Sequence, residues 1–188
     1  MYPDHSLMPK EAVHLAALGI LTEGPRTYAD LAALVRDFTS HVVGPNLDLM
    51  GTSIQLLSFE GFITAQEDAG QSQMLAPEAM LSITDGGRAE LKKLLLASVR
   101  TPFNDLNKLI VALKMRLFDL LDGSERQAQI EVITSALRSE QARLELLRQR
   151  RVKEADGTDP LVRWLDHDLC QIEDSLRWFE SLMTESQH

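Results

Sequence analysis

The sequence has a single cysteine, Cys170, among 188 residues. One cysteine excludes an intramolecular disulfide and a thiolate metal cluster, and it favours a reducing compartment, the cytoplasm. The first ten residues lack a basic region followed by an apolar core, and no apolar run approaches ~18 residues. We therefore expect no signal peptide, no transmembrane helix and no membrane partner.

Catalytic signatures are also missing. The chain contains no nucleophile elbow, no glycine-rich phosphate loop and no HExxH pair. His167 and Cys170 lie three residues apart and could share a helix face, but two ligands without a third do not make a metal site. The sequence thus predicts no enzyme, no cofactor and no metal, and Cys170 is expected to be a small core residue.

Positive charge is missing from one long segment. The chain carries 19 Lys and Arg against 28 Asp and Glu, a formal net charge of -9. Residues 37–87 contain no Lys or Arg and seven acidic side chains. Because such a surface repels nucleic acid, any DNA binding would need a local basic face elsewhere.

The first part of the chain, residues 1–100, reads as a small mixed domain. Apolar spacing predicts helices over 9–21, from the capping residue Thr27 onward, over 48–60 and from Thr84 to about residue 98. Gly61 would end the third helix in the left-handed conformation. Residues 62–64 and 80–83 read as two strands of a hairpin around a polar loop.

The second part, residues 101–188, reads as long helices only. Apolar residues recur at helical spacing over 103–121, over 130–147 and over 161–183, and Thr158 or Asp159 could cap the last helix. The last two helices are joined by a short loop, so we expect an antiparallel pair, with arginines on one helix facing acidic residues on the other. Two long apolar stripes would be completed by a second copy in a homodimer.

Three short stretches carry a resemblance. Residues 57–63, LSFEGFI, resemble the L-x-x-E-G-L-I motif that ends the recognition helix of many winged-helix regulators. Residues 81–91, LSITDGGRAEL, resemble the Y-S-I-T-x-x-G-R-x-x-L motif that leads from the wing into the next helix. The stretch 15–32 resembles the opening of the PadR family of transcriptional regulators.

The resemblance implies a mainly α fold with a small β-hairpin wing. An N-terminal winged helix-turn-helix domain would be followed by a C-terminal, long-helix, antiparallel coiled-coil-like dimerisation domain. It also implies a homodimer on double-stranded DNA, with the third helix in the major groove. The residues that would read or hold DNA are Thr52, Ser53, Gln55 and Ser58 on the third helix, with Arg26, Arg36, Arg88 and Lys92 on phosphate.

Two hypotheses therefore remain open. In the first, the protein is a transcriptional regulator that binds operator DNA as a homodimer. In the second, the acidic segment 37–87 has turned the former DNA face into a module that binds a protein partner. Aromatic residues leave a further choice, because Trp164, Trp178 and Phe179 could line an effector pocket or form a dimer core.

Overall fold

The computed structural model describes Leu7 and residues 9–44, 53–66, 75–99, 104–154 and 159–185. The described elements are α1 (Pro9–Thr22), β1 (Arg26–Thr27), α2 (Tyr28–Val43), α3 (Ser53–Phe59), β2 (Ile63–Gln66), β3 (Met80–Ile83), α4 (Asp85–Leu96), α5 (Asp105–Arg116), α6 (Gly123–Glu154) and α7 (Pro160–Glu185). They form two compact units, one containing α1 to α5 with the three strands, the other containing α6 and α7.

Helix α1 is the core of the first unit. Every residue from Ala12 to Leu21 is buried, because α2, α3, α4, α5 and β3 all pack on this helix. Such a helix is apolar on all sides rather than along one stripe. Gly19 permits close packing on the segment after α5, since a Cβ there would lie 2.5 Å from Cδ1 of Leu117.

The predicted helix ends are confirmed. The Thr27 hydroxyl accepts a hydrogen bond from the Asp30 amide at 3.1 Å, and the Thr84 hydroxyl accepts one from the Gly87 amide at 3.0 Å. Gly61 ends α3 with φ +75°, and the Phe62 amide donates to the Leu57 carbonyl at 2.8 Å. The left-handed glycine and this hydrogen bond together form the Schellman motif, which is expected where a glycine ends a helix.

The sheet has one strand more than the hairpin that the sequence predicted. Its order is β1-β3-β2 with antiparallel pairing, and Arg26 pairs with Leu81. A strand of two residues has no alternating pattern to reveal it. Only the neighbouring edge of β3 turns Arg26 and Thr27 into a strand.

Helix α5 belongs to the first unit. It packs on α1 and α2, and the Arg116 guanidinium donates to Glu23 Oε1 at 2.9 Å. Of the described residues, those up to Ser98 and those from Asn104 to Leu121 belong to the first unit, whereas Val99 and those from Asp122 onward belong to the second. The continuous helix expected over 103–121 is wrong, because α5 ends at Arg116 and a 3-10 turn follows over Phe118–Leu120. The roles of DNA-binding domain 1–100 and dimerisation domain 101–188 stay predictions.

The second unit is the predicted antiparallel pair of α6 and α7. Arg138 Nη2 donates to Glu180 Oε1 at 2.7 Å, and Arg148 pairs with Asp166. Asp159 caps α7, since its Oδ1 accepts from the Leu161 amide at 2.8 Å. That hydrogen bond, helped by Arg151, holds the pKa of the Asp159 carboxyl below its usual range.

Two expectations need correction or reach beyond the described residues. Cys170 is exposed, because it lies on the side of α7 away from α6, so it is not a core residue. On α2, Leu34 is also exposed, whereas Leu31, Val35 and Thr39 are buried. For the third helix, only Ser53–Phe59 of the expected range 48–60 is described as helix.

Thr84 joins two elements, so replacing it should destabilise the protein more than replacing Thr27. Its hydroxyl caps α4 and also donates to the Gly61 carbonyl at 2.8 Å, whereas the Thr27 hydroxyl only caps α2. We expect Thr27→Ala to lower the free energy of unfolding by about 1 kcal/mol and Thr84→Ala by about 2 kcal/mol. Urea unfolding of both variants checks this, and equal losses would show that the Gly61 contact contributes nothing.

Candidate nucleic-acid interface

Helix α3 is held in place from three directions. Ile54 and Leu57 are buried and anchor it on α1. Its last turn closes through Gly61, and the Thr84 hydroxyl bonds the Gly61 carbonyl at 2.8 Å. The start of α4 is thereby fastened to the end of α3, which places Arg88 one turn beyond that junction.

The outward face of α3 is apolar, and an acidic residue follows the helix. Phe59 is 66% exposed, Leu56 is 36% exposed, and the adjacent Glu60 is exposed as well. Phe59 lies on the outside because the buried face of α3 is taken by Ile54 and Leu57. Exposed Leu56 and Phe59 are the site residues that sequence reasoning missed. Their spacing from Ile54 and Leu57 on a 3.6-residue helix was the available signal.

Only some of the residues expected to read bases lie on this face. Gln55 and Ser58 are half-buried beside the exposed residues. Ser53 is the first residue of α3, and only its backbone is described. Thr52 lies outside the described residues. Among the described residues of this set, Gln55 is therefore the one whose side-chain amide could pair with an adenine edge.

The expected phosphate-binding cations are spread over three elements. Arg36 is exposed on α2 and Arg88 on α4, and neither forms an ion pair with any described residue. Lys92 follows Arg88 by four residues and so shares its side of α4. Arg26 is half-buried on β1, with Nη1 3.5 Å from the Pro25 carbonyl. The structure brings Arg88 and Lys92 together and leaves Arg26 and Arg36 on other elements.

The aromatic residues lie on the second unit. Phe179 is buried on the side of α7 that packs on α6, while Trp164 is 54% and Trp178 is 51% exposed. The rings of Trp178 and Phe179 meet edge to face with centroids 4.8 Å apart. The hairpin itself therefore covers Phe179, and the two tryptophans present apolar surface to the outside.

Two further properties concern the described residues as a whole. No group of three His, Cys, Asp or Glu side chains in the described part of the chain is placed to hold a metal ion. Among the helices described, none combines the length and the apolarity that crossing a membrane requires.

Three helices followed by a β-hairpin, with a short third strand beside it, define a winged helix-turn-helix protein. The chain belongs to the family described as "Putative AphA-like transcriptional regulator", whose model matches residues 2–183. This membership confirms the PadR-like regulator that the three motifs predicted, and it places the chain among regulators rather than enzymes.

The chain is also similar to solved structures of Bacillus subtilis PadR. The complex with p-coumaric acid is 17% identical, with a TM-score of 0.39 and coverage of 97% of this chain and 99% of that chain. The complex with operator DNA is 18% identical, with a TM-score of 0.37 and coverage of 92% of this chain and 98% of that chain. No curated relative matches the chain.

Proposed function

We propose that this protein regulates transcription in the cytoplasm by binding operator DNA as a homodimer. The observation that carries the proposal is the match of residues 2–183 to a family of transcriptional regulators. In this proposal α3 enters the major groove and the start of α4, fastened to the end of α3, brings Arg88 to the phosphate backbone. A two-fold dimer would read two half-sites.

The electrostatics of the described surface predict a modest affinity. Phosphate contacts supply most of the non-specific binding energy, and each one contributes about 0.9 to the slope of log affinity against log salt. Arg36 and Arg88 are exposed cations that are not engaged by acidic side chains of the described residues. With so few cations per subunit, binding should be weak, strongest at low salt, and should fall along a shallow slope toward physiological salt.

The first test is a titration of purified protein against labelled DNA from its own upstream region, from low to physiological salt. We expect Arg36→Ala and Arg88→Ala each to weaken binding about fivefold to tenfold and to reduce the salt slope by about two, because each substitution removes one cation from each subunit of the dimer. Arg163→Ala removes the same charge from an exposed position on α7 and should leave both quantities unchanged. If Arg163→Ala weakens binding equally, only net charge matters and these two cations have no specific role.

A second candidate function is supported by the outward face of α3. An exposed phenyl ring beside Leu56 and Glu60 is typical of a surface that anchors a protein partner. The same titration separates the candidates. Absence of DNA binding even at low salt would overturn the operator hypothesis for the isolated protein. The apolar face of α3, with Glu60 directly after it, would then be the surface on which to seek a protein partner.

A further inference from the structure

Two large apolar side chains lie on the outward face of α3. Phe59 is 66% exposed and Leu56 is 36% exposed, and Gln55 is half-buried beside them. At about 100° per residue, these three positions lie within about 50° of the direction opposite to the buried pair Ile54 and Leu57. Among the described side chains of α3, they are the ones that a surface laid against this helix would meet first.

The chemistry of these three side chains favours one kind of base pair. The helix Ser53–Phe59 contains no Lys or Arg, the side chains that most often bind the O6 and N7 acceptors of guanine in the major groove. Thymine alone among the four bases presents a methyl group there, which apolar side chains contact. Adenine presents N6 and N7, which a glutamine amide can bind together. A face made of phenyl, isobutyl and amide groups therefore matches A·T pairs.

We propose that Phe59, flanked by Leu56, determines operator specificity by packing on the methyl group of a thymine in the major groove. The proposal rests on the operator binding of the proposed function and names the base that α3 reads. Gln55 would add a contact to the N6 and N7 atoms of an adenine. Four residues of helix rise about 6 Å and base pairs are about 3.4 Å apart. For a helix lying along the groove, Gln55 and Phe59 would thus reach A·T pairs about two steps apart.

A cation lies beside this apolar face. The Thr84 hydroxyl donates to the Gly61 carbonyl at 2.8 Å, so the start of α4 lies at the end of α3 that carries Phe59. Arg88, one turn into α4, is exposed and forms no ion pair with any described residue. A duplex with its major groove on Phe59 would therefore have a guanidinium available for the phosphates at the edge of the groove.

The acidic residue that follows Phe59 is directed toward α1. Oε2 of Glu60 lies 4.0 Å from Nδ1 of His14, a buried residue of α1. A carboxylate beyond the phenyl ring would repel the phosphates of a duplex. Because the Glu60 carboxylate lies beside α1, this repulsion is reduced, and the phenyl ring is the group that extends outward.

Deoxyuridine tests the methyl contact, because it pairs as thymidine does and lacks only the C5 methyl group. The probe is the stretch of upstream DNA that the protein protects from DNase I at low salt, synthesised once with thymine and once with uracil. Burial of one methyl group changes affinity about fourfold, and one contact in each of two half-sites gives about fifteenfold. We expect the wild type to bind the uracil duplex about fifteenfold more weakly than the thymine duplex.

Phe59→Ala assigns the contact to the phenyl ring. This variant should bind the two duplexes with affinities that differ by about threefold or less, because the group that packs on the methyl is gone. Phe59 is exposed, so the circular dichroism spectrum should not change. Leu120→Ala is the matched control, since it removes a side chain that is 49% exposed in the turn after α5. It should keep the full discrimination of the wild type.

Each outcome decides the proposal. Discrimination by the wild type and by Leu120→Ala, with its loss in Phe59→Ala, supports it. Equal affinities of the wild type for the two duplexes overturn it and leave operator binding intact. Equal discrimination by the wild type and Phe59→Ala shows that the methyl groups act through DNA shape, which overturns the role of Phe59. If no stretch of the upstream DNA is protected even at low salt, the operator binding of the proposed function fails together with this proposal.

Discussion

Gly87→Ala is expected to lower the free energy of unfolding by about 3 kcal/mol, although it adds one methyl group. A Cβ at Gly87 would lie 2.0 Å from the Phe62 carbonyl oxygen and 2.9 Å from Cγ1 of Ile83. The first contact is with backbone, so no side-chain rotation can relieve it. Either α4 or the turn after α3 must move, and both are held by the Thr84 hydroxyl.

Gly86 provides the matched control for this variant. It is the preceding residue of the same helix, and its Cβ would meet nothing closer than Oγ1 of Thr84 at 3.6 Å. Gly86→Ala should therefore raise the free energy of unfolding by about 0.5 to 1 kcal/mol, because alanine loses less backbone entropy in a helix than glycine does. Urea unfolding of the two variants measures the difference. A loss below 1 kcal/mol for Gly87→Ala would mean that α4 is not packed tightly on the Phe62 backbone.

The stability of the wild type is expected to rise by about 2 kcal/mol relative to Lys114→Met between pH 7 and pH 9. Lys114 on α5 is 1% exposed, and its ammonium donates hydrogen bonds to the carbonyls at the end of α4. The bond to the Ala97 carbonyl measures 2.8 Å. Burial lowers the pKa of Lys114 from 10.5 to about 7.

The sign of the pH effect follows from proton binding. Between pH 7 and 10.5 the unfolded chain keeps the Lys114 proton, while the folded chain has lost it from most molecules. The free energy of unfolding therefore increases with pH across that window and is constant with respect to this group below it. The cost of burying the charge is fully present below pH 7.

Lys114→Met keeps the length of the side chain and removes the titrating group. The difference in free energy of unfolding between wild type and variant therefore cancels the contributions of all other ionisable groups. Urea unfolding of wild type and variant at pH 7, 8 and 9 gives the difference directly. Parallel pH profiles would show that the carbonyls of α4 hold the ammonium as well as water does. The pKa of Lys114 would then be ordinary despite its burial.

Several elements were predictable because their signals are local. Thr27, Thr84 and Gly61 mark helix ends through hydrogen bonds within a few residues, and each lies where the sequence placed it. The antiparallel pair of α6 and α7 follows from two apolar stripes, a short connection and opposite charges. The winged-helix class followed from motifs whose spacing reflects these same turns.

Other features depended on contacts between distant parts of the chain. Strand β1 exists because β3 lies beside it, and α5 joins the first unit because α1 and α2 offer it a surface. The buried Lys114 could not be told from an exposed lysine by its neighbours in sequence, since its hydrogen-bond partners lie 17 to 20 residues away. The candidate site shows the same limit, because burial of Ile54 and Leu57 on α1 is what turns Phe59 outward.

By itself, the sequence determined the helices, their caps, the hairpin, the family resemblance and the lack of cations over residues 37–87. These properties come from short-range backbone hydrogen bonding, from apolar periodicity and from composition. Only the tertiary structure decided which side chains reach the surface: Phe59 and Leu56 on α3, Arg36 and Arg88 without acidic partners among the described residues, and two tryptophans on one side of α7. Exposure is a property of what packs against a residue, and that is set by the rest of the fold.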